Sequence, residues 1–136
     1  MFTFSVEGIP ATQGSKTLYR GRMVESSKKL PAWRSAVVLA AKHERMRNEQ
    51  STPFDEPLLL VIHIFLPRPT KPKWVRLPAS KPDVDKLARA IMDALTIAGV
   101  IKDDALVCEL CVKKLWAGYE GSFPVPGALI SVMKAL

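Results

Sequence analysis

Phe2 to Ile9, FTFSVEGI, alternates apolar and polar side chains well enough for a first strand, which Gly8 and Pro10 end. The segment after it, ATQGSKTLYRGRMVESSKK, is rich in turn formers and cations and leaves room for a short strand around Leu18 to Val24. Pro31 then falls where the first turn of a helix tolerates proline, and Trp33, Ala36, Val37 and Ala40 recur behind it at helical spacing, with Arg34, Lys42 and Arg45 on another face. LLLVIHIFL, residues 58–66, is a continuous apolar run of strand length closed by Pro67, the pattern of a buried strand. His63 within it has no partner motif and reads as a hydrogen-bonded core histidine. Residues 67–82, PRPTKPKWVRLPASKP, hold five prolines, so no regular structure is expected there. From Pro82 to Ala98, the positions Leu87, Ala90, Ile91, Ala94, Leu95 and Ala98 return at helical spacing, and Gly99 is placed to stop the helix. ALVCELCVKKL and ALISVMKAL read as two more strands joined by AGYEGSFPVPG. The order strand, helix, strand, helix, strand, strand predicts an α+β fold, a small mixed sheet with two helices packed on it, forming one domain over residues 1–136.

Composition adds little to that picture except by exclusion. With 48% apolar and 24% charged residues over 136 positions, the chain has the make-up of a globular domain with a real core. Its longest apolar run, Leu58 to Leu66, is far short of a membrane span, and the N-terminus lacks the pattern of a secretory leader, so a cytoplasmic protein with no membrane partner is expected. Cys108 and Cys111 form a lone CxxC without a second Cys or His pair at zinc-ligand spacing. Three apart in a strand, they point to opposite faces, and they read as small core or edge residues.

Charge changes the picture more. Twenty Lys and Arg against 13 Asp and Glu give a net charge of +7, which points to a polyanionic partner and to nucleic acid first. The proline-rich segment 67–82 carries Arg68, Lys71, Lys73, Arg76 and Lys81 and no acid. Yet five of the six aspartates (Asp83, Asp85, Asp93, Asp103 and Asp104) fall inside residues 81–107. On the second helix Asp85, Arg89 and Asp93 lie within about 80° of arc, opposite the apolar stripe. Part of this has a structural account: Asp83 as an N-cap, Asp85 as a partner of the helix dipole, Asp93 as an ion-pair partner of Arg89 four residues back. Capping does not require Asp103 and Asp104. A tight return through Gly99 is expected to bring Asp104 beside the Asp83 and Asp85 end, and carboxylates so gathered suit a divalent cation, Mg²⁺ before all, which accepts oxygen ligands and takes the rest of its shell from water and phosphate. A basic surface would attract the polyphosphate and an acidic notch would hold the ion acting on it.

KPDVDKLARAIMDAL followed by KDDALVCELCVKK resembles the signature of RusA-type Holliday junction resolvases: a D-x-D, a basic residue four positions later, a D-A-L, and a D-D opening a strand. GIPATQGSK and the helix PAWRSAVVLAA are similar to the family's N-terminal half more loosely. The resemblance implies a RusA-like fold and a Mg²⁺-dependent homodimeric endonuclease, with Mn²⁺ the alternative ion, that binds four-way branched DNA and nicks two opposing strands symmetrically. It places Asp83, Asp85 and Asp104 at the metal-binding catalytic positions and Arg89 where the pattern usually has a catalytic lysine. Arg89 keeps the positive charge but does not give up its proton, so it suits stabilising a phosphate oxyanion rather than acid or base work. Lys86 stands where the pattern has asparagine and Leu106 where it often has glutamine. Neither belongs to the carboxylate set.

The chemistry expected is Mg²⁺-assisted phosphodiester hydrolysis giving a 5′-phosphate and a 3′-hydroxyl. Lys16, Arg68, Lys71, Lys73, Arg76 and Lys114 are the expected contacts to the DNA backbone. Trp74, midway in the basic segment, is placed either to stack on a splayed base or to anchor on the protein's own surface, while Trp33 and Trp116 read as core or dimer contacts. Rival readings are a less selective Mg²⁺ nuclease of branched DNA, a non-catalytic basic DNA-binding protein whose carboxylates only cap and pair, and a nucleotide-sugar enzyme using D-x-D, which leaves the basic segment without a role.

Overall fold

The computed structural model describes residues 1–14, 16–25 and 28–135, with the backbone alone for 16–19 and 23–25. Strand β1 (Phe2–Glu7) is followed by a hairpin of β2 (Lys16–Tyr19) and β3 (Arg22–Glu25), helix α1 (Leu30–Arg47), strand β4 (Leu58–Leu66), helix α2 (Val84–Ile97), a single 3-10 turn (Asp104–Leu106), strand β5 (Val107–Trp116) and strand β6 (Gly127–Lys134). The expected order of helices and strands is present, and the expected short strand is a separate two-stranded hairpin. Its turn residues Arg20 and Gly21 both have positive φ, 49° and 76°, as a two-residue turn matched to strand twist requires.

The main sheet has the order β1-β6-β4-β5, with β4 and β5 parallel and the other pairs antiparallel. β4 lies inside the sheet. Leu58, Leu60, Ile62 and Ile64 are fully buried in one cluster with Trp33 and Val37 of α1 and Leu87, Ile91 and Leu95 of α2, so both helices cover the same face. The alternate residues Leu59, Val61 and His63 are only half-buried. His63 therefore corrects the expectation of a core histidine: the two-residue period of the strand turns it to the face that no helix covers, and it has no side-chain hydrogen bond among the described residues. β5 is an edge strand, which leaves Cys108 and Cys111 exposed as free thiols. No helix among the described residues is long and apolar enough to cross a membrane.

The two helices are joined by charge as well as by packing. Arg34 of α1 lies 3.2 Å from the Asp93 carboxylate of α2, and Arg45 donates to the Ala98 carbonyl at the end of α2 (3.2 Å) and to the Gln50 carbonyl (3.1 Å). A guanidinium on the last free carbonyl of a helix satisfies an orphan acceptor and opposes the negative end of the helix dipole. α2 ends where the sequence places its stop: Gly99 takes φ of 76°, and its N–H donates to the Thr96 carbonyl.

Gly127 opens β6 where the strand passes β1, and a Cβ added there would fall on the Val6 carbonyl. Gly127→Ala is expected to destabilise the fold by about 1–3 kcal/mol, read in denaturant unfolding as a lower midpoint at unchanged slope.

Candidate active site

The basic segment 67–82 has no helix or strand, as its prolines require, but it is tied down. Trp116, buried at the end of β5, donates its indole N–H to the Trp74 carbonyl at 2.9 Å. Arg68 donates to the Val75 carbonyl at 3.2 Å and lies over the Tyr119 ring, 4.3 Å from its centroid. The ammonium of Lys114 donates to the carbonyls of Ser80 (2.7 Å) and Pro82 (2.9 Å), fixing the chain just before α2. Arg68 and Lys114, two of the expected DNA contacts, thus spend their charged heads on the protein itself. Lys71, Lys73 and Arg76 are exposed, and Lys73 stands 5.5 Å from the centre of the Trp74 ring. The Lys16 side chain lies outside the described residues.

Asp83 occupies the N-cap position of α2 with extended backbone, yet its side chain makes no capping hydrogen bond. It pairs instead with Lys86 one turn on, at 3.5 Å, and half of it is open to solvent. Asp85 is exposed in the first turn, where the helix dipole favours an anion, with no side-chain partner among the described residues. Arg89 is exposed on the same face. Its guanidinium lies so close under Gly14, φ 97°, that a Cβ there would collide with it.

Gly14 belongs to a strap laid across α2 from the segment after β1. The Gln13 N–H donates to the Lys86 carbonyl at 3.1 Å, and its side-chain oxygen accepts from Arg34 at 2.7 Å. Arg34 in turn holds Asp93. The expected Asp93–Arg89 pair is therefore corrected: the cation from the neighbouring helix takes Asp93, and the Arg89 guanidinium lies against Gly14 instead. The sequence reading missed Gln13, Gly14 and Arg34 as parts of the site. GIPATQGSK carried a faint signal for the strap, whereas nothing in α1 marked Arg34 apart from its neighbours.

Asp104 does not reach the other end of the helix. β5 begins opposite the start of β4 (Val107 with Leu58) and ends opposite its finish (Trp116 with Leu66). α2 runs back between the two strands, so Asp83 and Asp85 sit at the Trp116 edge and Asp104 at the Val107 edge. Asp85 and Asp93 alone are about 12 Å apart along the axis at 1.5 Å per residue. The expected tight return through Gly99 leaves Asp104 within electrostatic range of Asp93, and it does not bring the three carboxylates together in one chain. Among the described residues no group of three Asp, Glu, His or Cys side chains is placed to hold a metal ion, so a single chain does not fit the cation that the carboxylate set suggested. Asp103 and Asp104 form a pair of their own. Asp103 accepts from the Ala105 N–H at 3.0 Å, and that bond, with one from the Asp104 side chain, holds its carboxyl below the usual range. The Asp104 carboxyl, though exposed, is pushed up by the bond it shares with Asp103, by slight desolvation, and by the negative charges of Asp103 and Asp93. In Asp103→Asn an amide donor replaces the competing acid, so the Asp104 carboxyl should titrate at lower pH than in the parent protein, a shift that carboxyl NMR reads directly.

A family model described as Endodeoxyribonuclease RusA matches residues 7–122. The chain is also similar to the crossover junction endodeoxyribonuclease rusA of Lactococcus phage r1t, with 26% identity over 116 residues that cover 84% of this chain and 86% of the relative. The match takes in the strap, both helices, the basic segment and the Asp103–Asp104 pair. The chain thus belongs to the RusA family of endodeoxyribonucleases, enzymes that hydrolyse the phosphodiester bonds of DNA.

Proposed function

We propose that this nuclease resolves Holliday junctions, binding four-way branched DNA as a homodimer and nicking two opposing strands symmetrically in the cytoplasm of a bacterial or phage-infected cell, with residues 1–136 working as one domain. The observation that carries this reading is the meeting of an acidic helix start, Asp83 and Asp85, with a cationic segment that Lys114 ties to it. Lys71, Lys73 and Arg76, exposed beside it, are the proposed backbone contacts, with Lys16 added from the hairpin. Arg68 and Lys114 act mainly by holding the segment in place. Arg89 faces the phosphate, where a guanidinium offsets charge developing on the oxygens without taking part in proton transfer.

Mg²⁺ is the proposed cofactor, with Asp83, Asp85 and Asp104 as its ligands. One chain leaves Asp104 at the far end of α2, so the set is proposed to be divided: Asp83 and Asp85 from one copy, Asp104 from the other. Bound there, the ion would supply charge for the phosphate and a more acidic water. A two-fold pair built this way presents two equal sites to a substrate with two equal strands.

The deciding experiment incubates a labelled four-way junction and a matched linear duplex with and without Mg²⁺. The expected result is paired nicks in the junction alone, only with the ion, and at least a hundredfold less cleavage by Asp83→Asn or Asp104→Asn. Co-expression of the two variants should restore nicking of one strand per junction, because a mixed pair regains one complete site. Mixed pairs that stay inactive would overturn the divided set, and cleavage of the linear duplex at the same rate would favour an unselective nuclease. Junction affinity should also fall severalfold or more as salt rises from 50 to 200 mM, while binding indifferent to salt would remove the phosphate contacts from the account.

A further inference from the structure

Asp83 stands on the wall of a cleft of about 770 Å³, enclosed between the chain leaving β1 at Ile9 to Thr12, the chain leaving β4 at Leu66 to Pro69, and Ser80 to Pro82. Its volume is that of sites that take nucleotide-sized ligands. The walls include Ala11, Leu66, Pro67 and Trp116, the last only 8% exposed, and its indole N–H is already satisfied by the Trp74 carbonyl, so the ring offers no unmet hydrogen bond. The cationic residues lining it are Lys29, Lys81 and Lys86, with Arg68 turned to the Val75 carbonyl and the Tyr119 ring, against a single carboxylate, Asp83, which Lys86 already pairs. Apolar walls with a surplus of positive charge match a planar base joined to a phosphate.

We propose that this cleft takes one unpaired nucleotide of the bound DNA strand, its base against the Trp116 and Pro67 walls and its phosphate toward Lys81 and Lys86. The inference rests on the reading of branched DNA as substrate, and it adds where a base goes when it leaves the stack. A nucleotide at a branch point has lost part of its stacking, so drawing it out costs less than in continuous duplex. Base–aromatic contact in the cleft offsets that cost. The cleft would also fix one nucleotide beside Asp83, and so set which phosphate faces the acidic helix start.

The test measures binding alone, without divalent ion, so it does not depend on cleavage. Four-way junctions carrying a single abasic residue at each position around the crossover are titrated with the protein. One position per bound strand should lose about tenfold in affinity, and abasic residues in the duplex arms should lose nothing. Ile9 is 44% exposed at the cleft, and Ile9→Trp, checked for folding by circular dichroism, should block it and bind all the junctions alike. A 4-thiothymidine at the sensitive position should crosslink in the unaltered protein to Ile9–Thr12 or Leu66–Pro69, which reads the contact without any variant. Equal affinity for every abasic junction, or crosslinks only to Lys71–Leu77, would overturn the proposal. A protein that cleaves junctions without an abasic effect loses the cleft and keeps the activity. One that shows the effect but never cleaves loses the activity and keeps the cleft.

Discussion

A helix that connects two parallel neighbours in a sheet has to run against both of them. That constraint governs this molecule. Because α2 carries the chain from the end of β4 back to the start of β5, whatever precedes it lies at one edge of the sheet and whatever follows it lies at the other. The apolar stripe of Leu87, Ile91 and Leu95 seals the helix onto the sheet, and its charged face is thereby fixed outward. The separation of Asp83 and Asp85 from Asp104 is built into the connection.

Much of the rest of the structure stiffens that one helix. Arg45 closes its C-terminal end, Arg34 holds its middle through Asp93, and the Gln13 N–H grips its first turn at the Lys86 carbonyl. Lys114 fixes the chain that enters it. Four contacts from three parts of the chain, α1, the strap and β5, thus set the direction in which Asp83, Asp85 and Arg89 face. The cations that do this are removed from the surface charge available to a polyanion, so the net charge of +7 overstates what DNA meets.

Local pattern made the elements legible. The Pro31 start of α1, the stripe and glycine stop of α2 and the unbroken apolar run of β4 each follow from side-chain period and backbone preference within a dozen residues. The candidate residues were legible too, because D-x-D and D-D are local strings. Partners were not. Asp93 had a cation at the right helical spacing in Arg89, and only the packing of α1 shows why Arg34 takes it. His63 sat in an apolar run, and which face it took depended on both helices choosing the other side. The insertion of β6 between β1 and β4 is a matter of long-range pairing with no local mark. The distance of Asp104 from Asp83 needed one fact the string does not carry: β5 lies parallel beside β4.

The outer position of β5 bears on how the protein behaves in air. Cys108 and Cys111 are both exposed there, three positions apart on an extended strand, so their α-carbons are separated by roughly 10 Å, beyond the span of a disulfide. Oxidation therefore cannot close a ring within one chain, and the only disulfides open to these thiols join separate molecules. A reducing buffer keeps such covalent aggregates from forming.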